Sequence, residues 1–439
     1  MLLSEAAEAR GGSATGPWGT TWLLLCFMLV NFADKAVLGL AGPDIMREFG
    51  ISRQEFGMAQ AAFFALFSVS ALAVSALTRK VRTPLLLLAM ALLWSAAQLP
   101  MVWAAAGFGT LVATRILLGA AEGPAAPVAV HHLHGWFGQR DRSLPTAVLM
   151  VGAAAGVAVA APALSAVISA WGWRWAFGAV GLVGLVWALV WRRYGSEGPL
   201  APPVGAVRDP AVAATEVPLR RILLSGTFLT ASAGSFAAYW LMSSKLTWLP
   251  DYLETVLGWD AHRVGLMVGA GAIANGVVLL VHGLVAQRAA RRGRPGLLPA
   301  GAGAGVLLLL SAAAVTVFAT ADADWLRVPM MFGPMALALV MMTVGQTACA
   351  RITPPSQRGV VLGAVVCVFA LGGVLAPLVL GGIVDAAATT AQGYENGWLV
   401  TAALLATAGA ATTLSLRPER DARRLGVPET PPVGVPMAH

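Results

Sequence analysis

Apolar runs of about 20 residues recur along this chain from Trp18 to Leu416, and as helices each is long enough to cross a hydrocarbon core roughly 30 Å thick. A soluble fold has no use for so many. Of 439 residues 58% are hydrophobic and only 11% are charged, which leaves the polar stretches as short punctuation between the runs. The chain reads as an all-α polytopic membrane protein. The first 17 residues carry Glu5, Glu8 and Arg10 instead of a basic leader, and the run that follows is too long for the core of a signal peptide, so the first span is expected to stay uncleaved. Cys26, Cys349 and Cys367 fall inside apolar runs without CxxC spacing and read as small core residues, with no disulfide expected.

Reading the runs against charged, Pro and Gly punctuation gives twelve spans: 18–40, 53–77, 83–105, 108–134, 143–169, 173–193, 222–249, 262–287, 296–320, 327–350, 359–385 and 396–416. Cytoplasmic loops retain Lys and Arg. On this map 21 of the 29 basic residues lie in the N-terminus, the even-numbered loops and the tail, whereas the alternate loops hold five. Both termini are therefore expected in the cytoplasm, and the net charge of +8 reads as a topology signal, with no nucleic-acid partner. The hydrophilic stretch "SEGPLAPPVGAVRDPAVAATEVPLRR" divides the spans six and six. The expected organisation is a cytoplasmic N-terminus (1–17), a six-helix bundle (18–195), a Pro/Gly-containing linker (196–220), a second six-helix bundle (221–416) and a cytoplasmic tail (417–439).

The two halves resemble each other. "RSLPTAVLMVGAAAGVAVAAPAL" opens the fifth span and "RGVVLGAVVCVFALGGVLAPLVL" opens the eleventh: Arg at a predicted cytoplasmic edge, a small-residue face, then Pro about 20 residues on. An even number of spans separates the copies, so the repeat keeps its orientation, the pattern of two pseudo-symmetric halves with a site between them. Small residues on these faces let helices approach closely.

Several motifs, together with the twelve-span layout, give the chain a family resemblance over nearly its whole length. "GWRWAF" (172–177), "TWLPDYL" (247–253), and "RILLGAAEGPAAP" (115–127) followed by "WFGQRDR" (136–142) resemble the major facilitator superfamily. The last pair, with "NFADKAVL" (31–38), is similar to its anion:cation symporter family, whose members carry sugar acids, aromatic acids and other organic anions with protons. That family usually has Asp-Arg where this chain has Asp34-Lys35, so the positive charge survives without a bidentate fork. The signature G-x-L-A-D-R-x-G between the second and third spans is degraded: "SALTRKVR" (75–82) places Arg79 where the Asp belongs. In the second half "GLVAQRAARRG" keeps Gly283 and Arg288 but has Gln287 for the Asp.

Charges within spans cost several kcal/mol unless paired or hydrated, and by default they mark an ion or substrate path. Five stand out: Asp34, Lys35, Arg115, Glu122 and Lys245. At about 1.5 Å per residue, Asp34 and Arg115 lie roughly 9 and 10 Å below the predicted outer ends of the first and fourth spans, a shared depth that allows an ion pair. Glu122 lies two turns beyond Arg115 on the same face. Lys35 is about 100° round the helix from Asp34, so one of the two can meet Arg115 while the other faces a cavity. Lys35, Arg115 and Lys245 are assigned to substrate binding, and Asp34 and Glu122 to proton coupling, since a half-buried carboxylate beside a cation suits loading and unloading a proton. The bland alternative is a fixed buried network that selects one packing arrangement.

Lys245 is placed about 6 Å below the predicted outer end of the seventh span, which is a cavity-lining helix by resemblance. There it either reaches the headgroups or supplies a second cation suited to a dicarboxylate. Phe63 and Tyr239 join the substrate-binding set, although Trp22, Phe63, Phe64, Phe67, Tyr239 and Trp240 at helical spacing equally suit core or lipid-facing positions. Trp171, Trp173, Trp175 and Trp248 read as interfacial anchors. His131, His132 and His134 lie at a predicted cytoplasmic helix end with no carboxylate or thiolate to complete a metal set, so no metal is expected. No phosphate-cradling GxxxxGK[ST] and no nucleophile set appears. No catalytic residue and no cofactor is assigned, and an enzyme is excluded.

The reading that results is a monomeric inner-membrane secondary transporter that imports a small organic anion by alternating access, with protons as coupling ion. Proton-driven efflux of lipophilic compounds by the same fold is the runner-up, expected to favour a more apolar cavity. A receptor or scaffold fits the short loops poorly.

Overall fold

The computed structural model describes residues 16–78, 80–138, 141–201, 217–292, 301–354 and 357–427. The degraded-signature residue Arg79, the centre of the linker, residues 428–439 and the first 15 residues lie outside these segments. Every regular element described is a helix, as the apolar runs require: in lipid the backbone must satisfy its own polar groups within each segment. Among the described residues nine helices are both long and apolar enough to cross a membrane.

The described residues make twelve helical passes. The first six are Gly16–Leu40, Arg53–Leu77, Thr83–Gln98 (continued by a 3₁₀ turn, Leu99–Val102), Phe108–Glu122 with Ala125–His134, Ser143–Trp171 and Trp173–Tyr194. The last six are Gly226–Thr255, Ala261–Arg291, Gly301–Thr320, a broken tenth from Asp324 to Arg351, Arg358–Ala386 and Thr390–Ser415. A short amphipathic helix, Pro418–Leu425, follows.

Beyond shifts of a few residues at the ends, three passes differ from expectation: the tenth is broken between Met330 and Gly333, with Pro329 and Pro334 on either side, and the fourth and seventh depart at Pro124 and Pro250. The fourth is broken at Gly123-Pro124, because Pro124 has no N–H to continue the ladder and its ring crowds the preceding turn. The seventh does not stop before Pro250 but runs through it to Thr255. Lys245 therefore lies ten residues from the helix end, roughly 15 Å along the axis, and not near a terminus. Pro250 also leaves the Leu246 carbonyl without its helical donor, and Gly39 of the first span packs against that oxygen, where any Cβ would collide with it. Gly119 of the fourth span meets the Phe63 carbonyl of the second in the same way. Such close backbone approach is what small residues permit between membrane helices.

By contact the helices fall into two compact units. The first comprises Met1–Val207, Ser243–Gly276 and Gly373–Tyr394. Its centre is aromatic: Phe27 lies between Trp94 and Trp187, at 4.7 and 4.8 Å between centroids. Trp187 and Trp191 stack at 5.1 Å and donate their indole N–H groups to the Leu23 and Pro84 carbonyls, which pins the sixth span to the first and third. Trp248, read from sequence as an interfacial anchor, is instead fully buried and donates to the Pro377 carbonyl at 3.1 Å. Trp173 is likewise buried and donates to Glu48 Oε2 at 2.7 Å. Trp171 and Trp175 are exposed, as anchors would be.

The second unit comprises Arg208–Met242, Val277–Gly372 and Glu395–His439. It is held by Trp398 edge-on against Phe318 and by Trp240 donating to Thr401 Oγ1 at 3.1 Å. Asp421 of the final short helix accepts from the backbone N–H and hydroxyl of Thr227, at 2.9 and 2.7 Å. It thereby satisfies an orphan donor in the first turn of the seventh span.

Candidate functional site

The five charged residues singled out within spans all belong to the first unit, and four of them converge. Asp34 and Lys35 are consecutive on the first span, so they leave it in directions about 100° apart. The fourth span supplies Arg115 and, two turns on, Glu122 on the same face. Asp34, Arg115 and Glu122 are 0–2% exposed.

Lys35 forms an ion pair with Glu122. Its ammonium also donates to Asn31 Oδ1 at 2.9 Å and to the Asn31 carbonyl at 3.2 Å, one turn back on its own helix. A lysine has three donors, and here all three are engaged. The cation sits 4.6 Å from the Phe32 ring centroid and 5.7 Å from that of Phe63, close enough for both ring faces to stabilise it.

The direct ion pair considered between Asp34 and Arg115 is replaced by a bridge. Gln98, a wholly buried residue of the third span, donates from Nε2 to Asp34 Oδ1 at 3.0 Å and accepts at Oε1 from Arg115 Nη2 at 2.7 Å. Arg115 lies over Phe177 of the sixth span at 5.3 Å. Asp34 and Glu122 are the two acidic members of this network. Asp34 Oδ2, Glu122 Oε1, Arg115 Nε and Asn31 Nδ2 have no hydrogen-bond partner. Burial of two carboxylates and two cations with orphaned polar atoms is costly.

Sequence reasoning missed Gln98 because it searched the spans for charge; the signal was a lone amide in the apolar run "LLWSAAQLPM". The other assigned residues fall as follows. Phe63 is buried beside Phe64, at 4.9 Å and edge-on. Lys245 is half-buried in the first unit, adjacent in sequence to the Leu246 carbonyl that meets Gly39. Tyr239 belongs to the second unit, half-buried against Phe369 at 5.0 Å. Of the histidines, His132 is buried and shares a hydrogen bond with Thr83 at 2.7 Å, and His134 one with Thr146.

A second polar cluster lies at one end of the first unit. Arg53 Nε donates to Asp251 Oδ2 at 2.8 Å, and the Tyr394 hydroxyl donates to the same oxygen. The backbone N–H groups of Arg53 and Gln54, at the start of the second span, are capped by the Asp385 carboxylate at 3.3 and 2.8 Å.

The Major Facilitator Superfamily model matches residues 23–377. The chain belongs to that superfamily. Its fold agrees with solved members of low identity. A bacterial homolog of the human lysosomal transporter Spinster superposes with a TM-score of 0.78 at 17% identity, covering 94% of this chain and 99% of that one. A D-xylose–proton symporter superposes with a TM-score of 0.71 at 14% identity, covering 91% and 98%. Among curated proteins this superfamily member is 29% identical over 286 residues to a probable L-galactonate transporter of Escherichia coli (strain K12), covering 61% of each chain. It is 26% identical over 259 residues to a hexuronate transporter of Bacillus subtilis (strain 168), covering 55% of this chain and 60% of that one. To a D-galactonate transporter of Escherichia coli O6:H1 it is 25% identical over 292 residues, covering 62% and 68%. The match thus spans about three fifths of the first two relatives. The chain is a multi-pass membrane protein of a transporter superfamily, not an enzyme.

Proposed function

We propose that this protein is a secondary transporter that carries a small organic anion across the bacterial inner membrane by alternating access, coupled to a proton held by the Asp34–Glu122 pair. The observation that carries the reading is the saturation of Lys35. Its three donors are taken by Glu122 and by two Asn31 oxygens, so a cargo carboxylate reaches the ammonium only when one of these lets go. Glu122 is the ligand that a proton can discharge. Protonation weakens its hold on Lys35, the freed donor takes the cargo carboxylate, and the net charge of the site is kept. Cargo and proton are then bound together and released together, which is the elementary requirement of symport.

The curated relatives support the class of cargo, being named for L-galactonate, hexuronate, D-galactonate, galactarate or D-glucarate, and sulfoacetate. The same reading keeps both termini in the cytoplasm, two six-helix halves, inward transport and a monomer. It assigns Lys35, Arg115, Phe63 and Tyr239 to cargo binding, and Lys245 to a second anionic end of the cargo.

Counterflow of radiolabelled D-galactonate, hexuronates, D-glucarate and sulfoacetate in proteoliposomes, with pH set independently on each side, tests it. Accumulation of at least one of these anions that follows an inwardly directed proton gradient is expected. Exchange with no response to the gradient would leave an anion exchanger and remove the proton from the mechanism, and export of drug-like or lipophilic compounds would favour the efflux reading.

A further inference from the structure

The amide of Gln98 has an unambiguous orientation. Arg115 has only donors to offer, so the atom it meets at 2.7 Å must be Oε1, and the atom facing Asp34 Oδ1 at 3.0 Å must be the N–H of Nε2. That settles the state of Asp34 Oδ1: it accepts, and it carries no hydrogen. A proton on Asp34 therefore has one place to go, Oδ2, an oxygen without a hydrogen-bond donor. Glu122 is divided in the same way, with Oε2 committed to Lys35 and Oε1 lacking a donor.

We propose that Gln98 is a positioning residue for the proton step: by holding Asp34 Oδ1 and keeping Arg115 one amide away, it confines the transported proton to Asp34 Oδ2, the oxygen that packing leaves without a donor. The inference rests on the proposed function. Its physical sense lies in the spacing. A guanidinium fork seated directly on a buried carboxylate would hold it ionised through every step of a cycle. A neutral amide between them passes on orientation while weakening the Coulomb hold, and it donates to Asp34 Oδ1 in both states, more strongly to the carboxylate but far less so than a guanidinium fork would. Asp34 is faced by Glu122 and Arg115 of the fourth span, by Lys35 of its own helix and by Gln98 of the third. The fifth span, packed along the first, brings no charged residue between Thr146 and Trp171, and the seventh brings Lys245 near Gly39. No other charged side chain of these helices competes for the role.

The test needs no cargo. Infrared difference spectra of the purified protein in lipid, between acid and alkaline pH, show a protonated-carboxyl C=O band, and its loss in Asp34→Asn assigns it to Asp34. In Gln98→Met, similar in length and unable to donate, the carbonyl Oδ1 loses its donor and the band moves to higher wavenumber. Gln98→Leu, with size-exclusion profile and unfolding temperature checked alongside, guards against a variant that fails to fold. Disappearance of the band from a folded variant also supports the role, since Arg115 has then closed onto the carboxylate. An Asp34 band left unmoved in both folded variants would overturn the role of Gln98 alone. A parent spectrum without any band that depends on Asp34 or Glu122 would remove the proton-site reading itself, and this inference with it.

Discussion

The first unit holds two polar clusters that look alike on paper and behave differently. The Asp251 cluster at one end of the unit is nearly closed: Asp251 Oδ2 takes both Arg53 and Tyr394, Asp385 caps the start of the second span, and Asp251 Oδ1 is left over. The Asp34 network, built from the first, third and fourth spans, leaves more: one oxygen on each of two carboxyls, one guanidinium nitrogen and one amide nitrogen. A cluster that closes nearly all its hydrogen bonds lowers the energy of one arrangement. A cluster that leaves an oxygen over on each of two carboxyls is able to take up something small, and a proton is the smallest candidate. The contrast teaches that ionisable residues in a membrane helix indicate function less by their charge than by what remains unsatisfied after packing.

Six substitutions test this contrast, in descending order of effect. Arg115→Ala strands the carboxylates of the network, and loss of one partner from a buried charge set costs about 3–5 kcal/mol. Accumulation should be abolished and the unfolding temperature should fall further than for any single neutral variant. Asp34→Asn and Glu122→Gln each should abolish proton-driven accumulation, with counterflow surviving in at least one; uphill uptake by both variants would move the proton elsewhere.

Asp251→Asn, at the other cluster, removes the charge that Arg53 and Tyr394 share and should cost about 1–3 kcal/mol of stability while leaving the pH dependence of exchange as in the parent. A changed pH profile there would erase the distinction between the two clusters. Lys245→Ala should reduce uptake of D-glucarate more than that of D-galactonate; equal loss would assign Lys245 to neither anionic end.

The smallest effect belongs outside both clusters and serves as their control. Burial raises the Asp421 carboxyl, but the hydrogen bonds from Thr227 and the neighbouring Arg420 outweigh it and hold the group below the usual carboxylate range. With the folded value depressed, its stabilisation is fully present above the unfolded value of about 3.9 and is lost as pH falls through the folded value. The unfolding temperatures of parent and Asp421→Asn should differ at pH 6 and converge toward pH 3.

Apolar run length alone told the twelve passes, because a bilayer leaves the backbone no alternative to the helix. The residues Asp34, Lys35, Arg115 and Glu122 stood out for the same reason, charge being rare where it is expensive. Their depth followed from 1.5 Å per residue, since a helix is a ruler. What the ruler could not supply was pairing. That Glu122 takes Lys35, that Gln98 stands between Asp34 and Arg115, and that Asp251 collects partners from positions 53 and 394 are decisions of helices far apart in sequence. Pro250 was read as an end because proline removes a donor, but neighbouring helices can accommodate the loss, and here the released Leu246 carbonyl packs on Gly39. Trp248 was read as an anchor from its place near a predicted end; the helix continued, and the indole was buried with it. Sequence determines what each helix must bury and, where the helix end is read correctly, how far each charge lies from it, because those are properties of one segment in lipid. Tertiary structure alone decides which charges meet, because that depends on the rotation of one helix against another, which no single segment encodes.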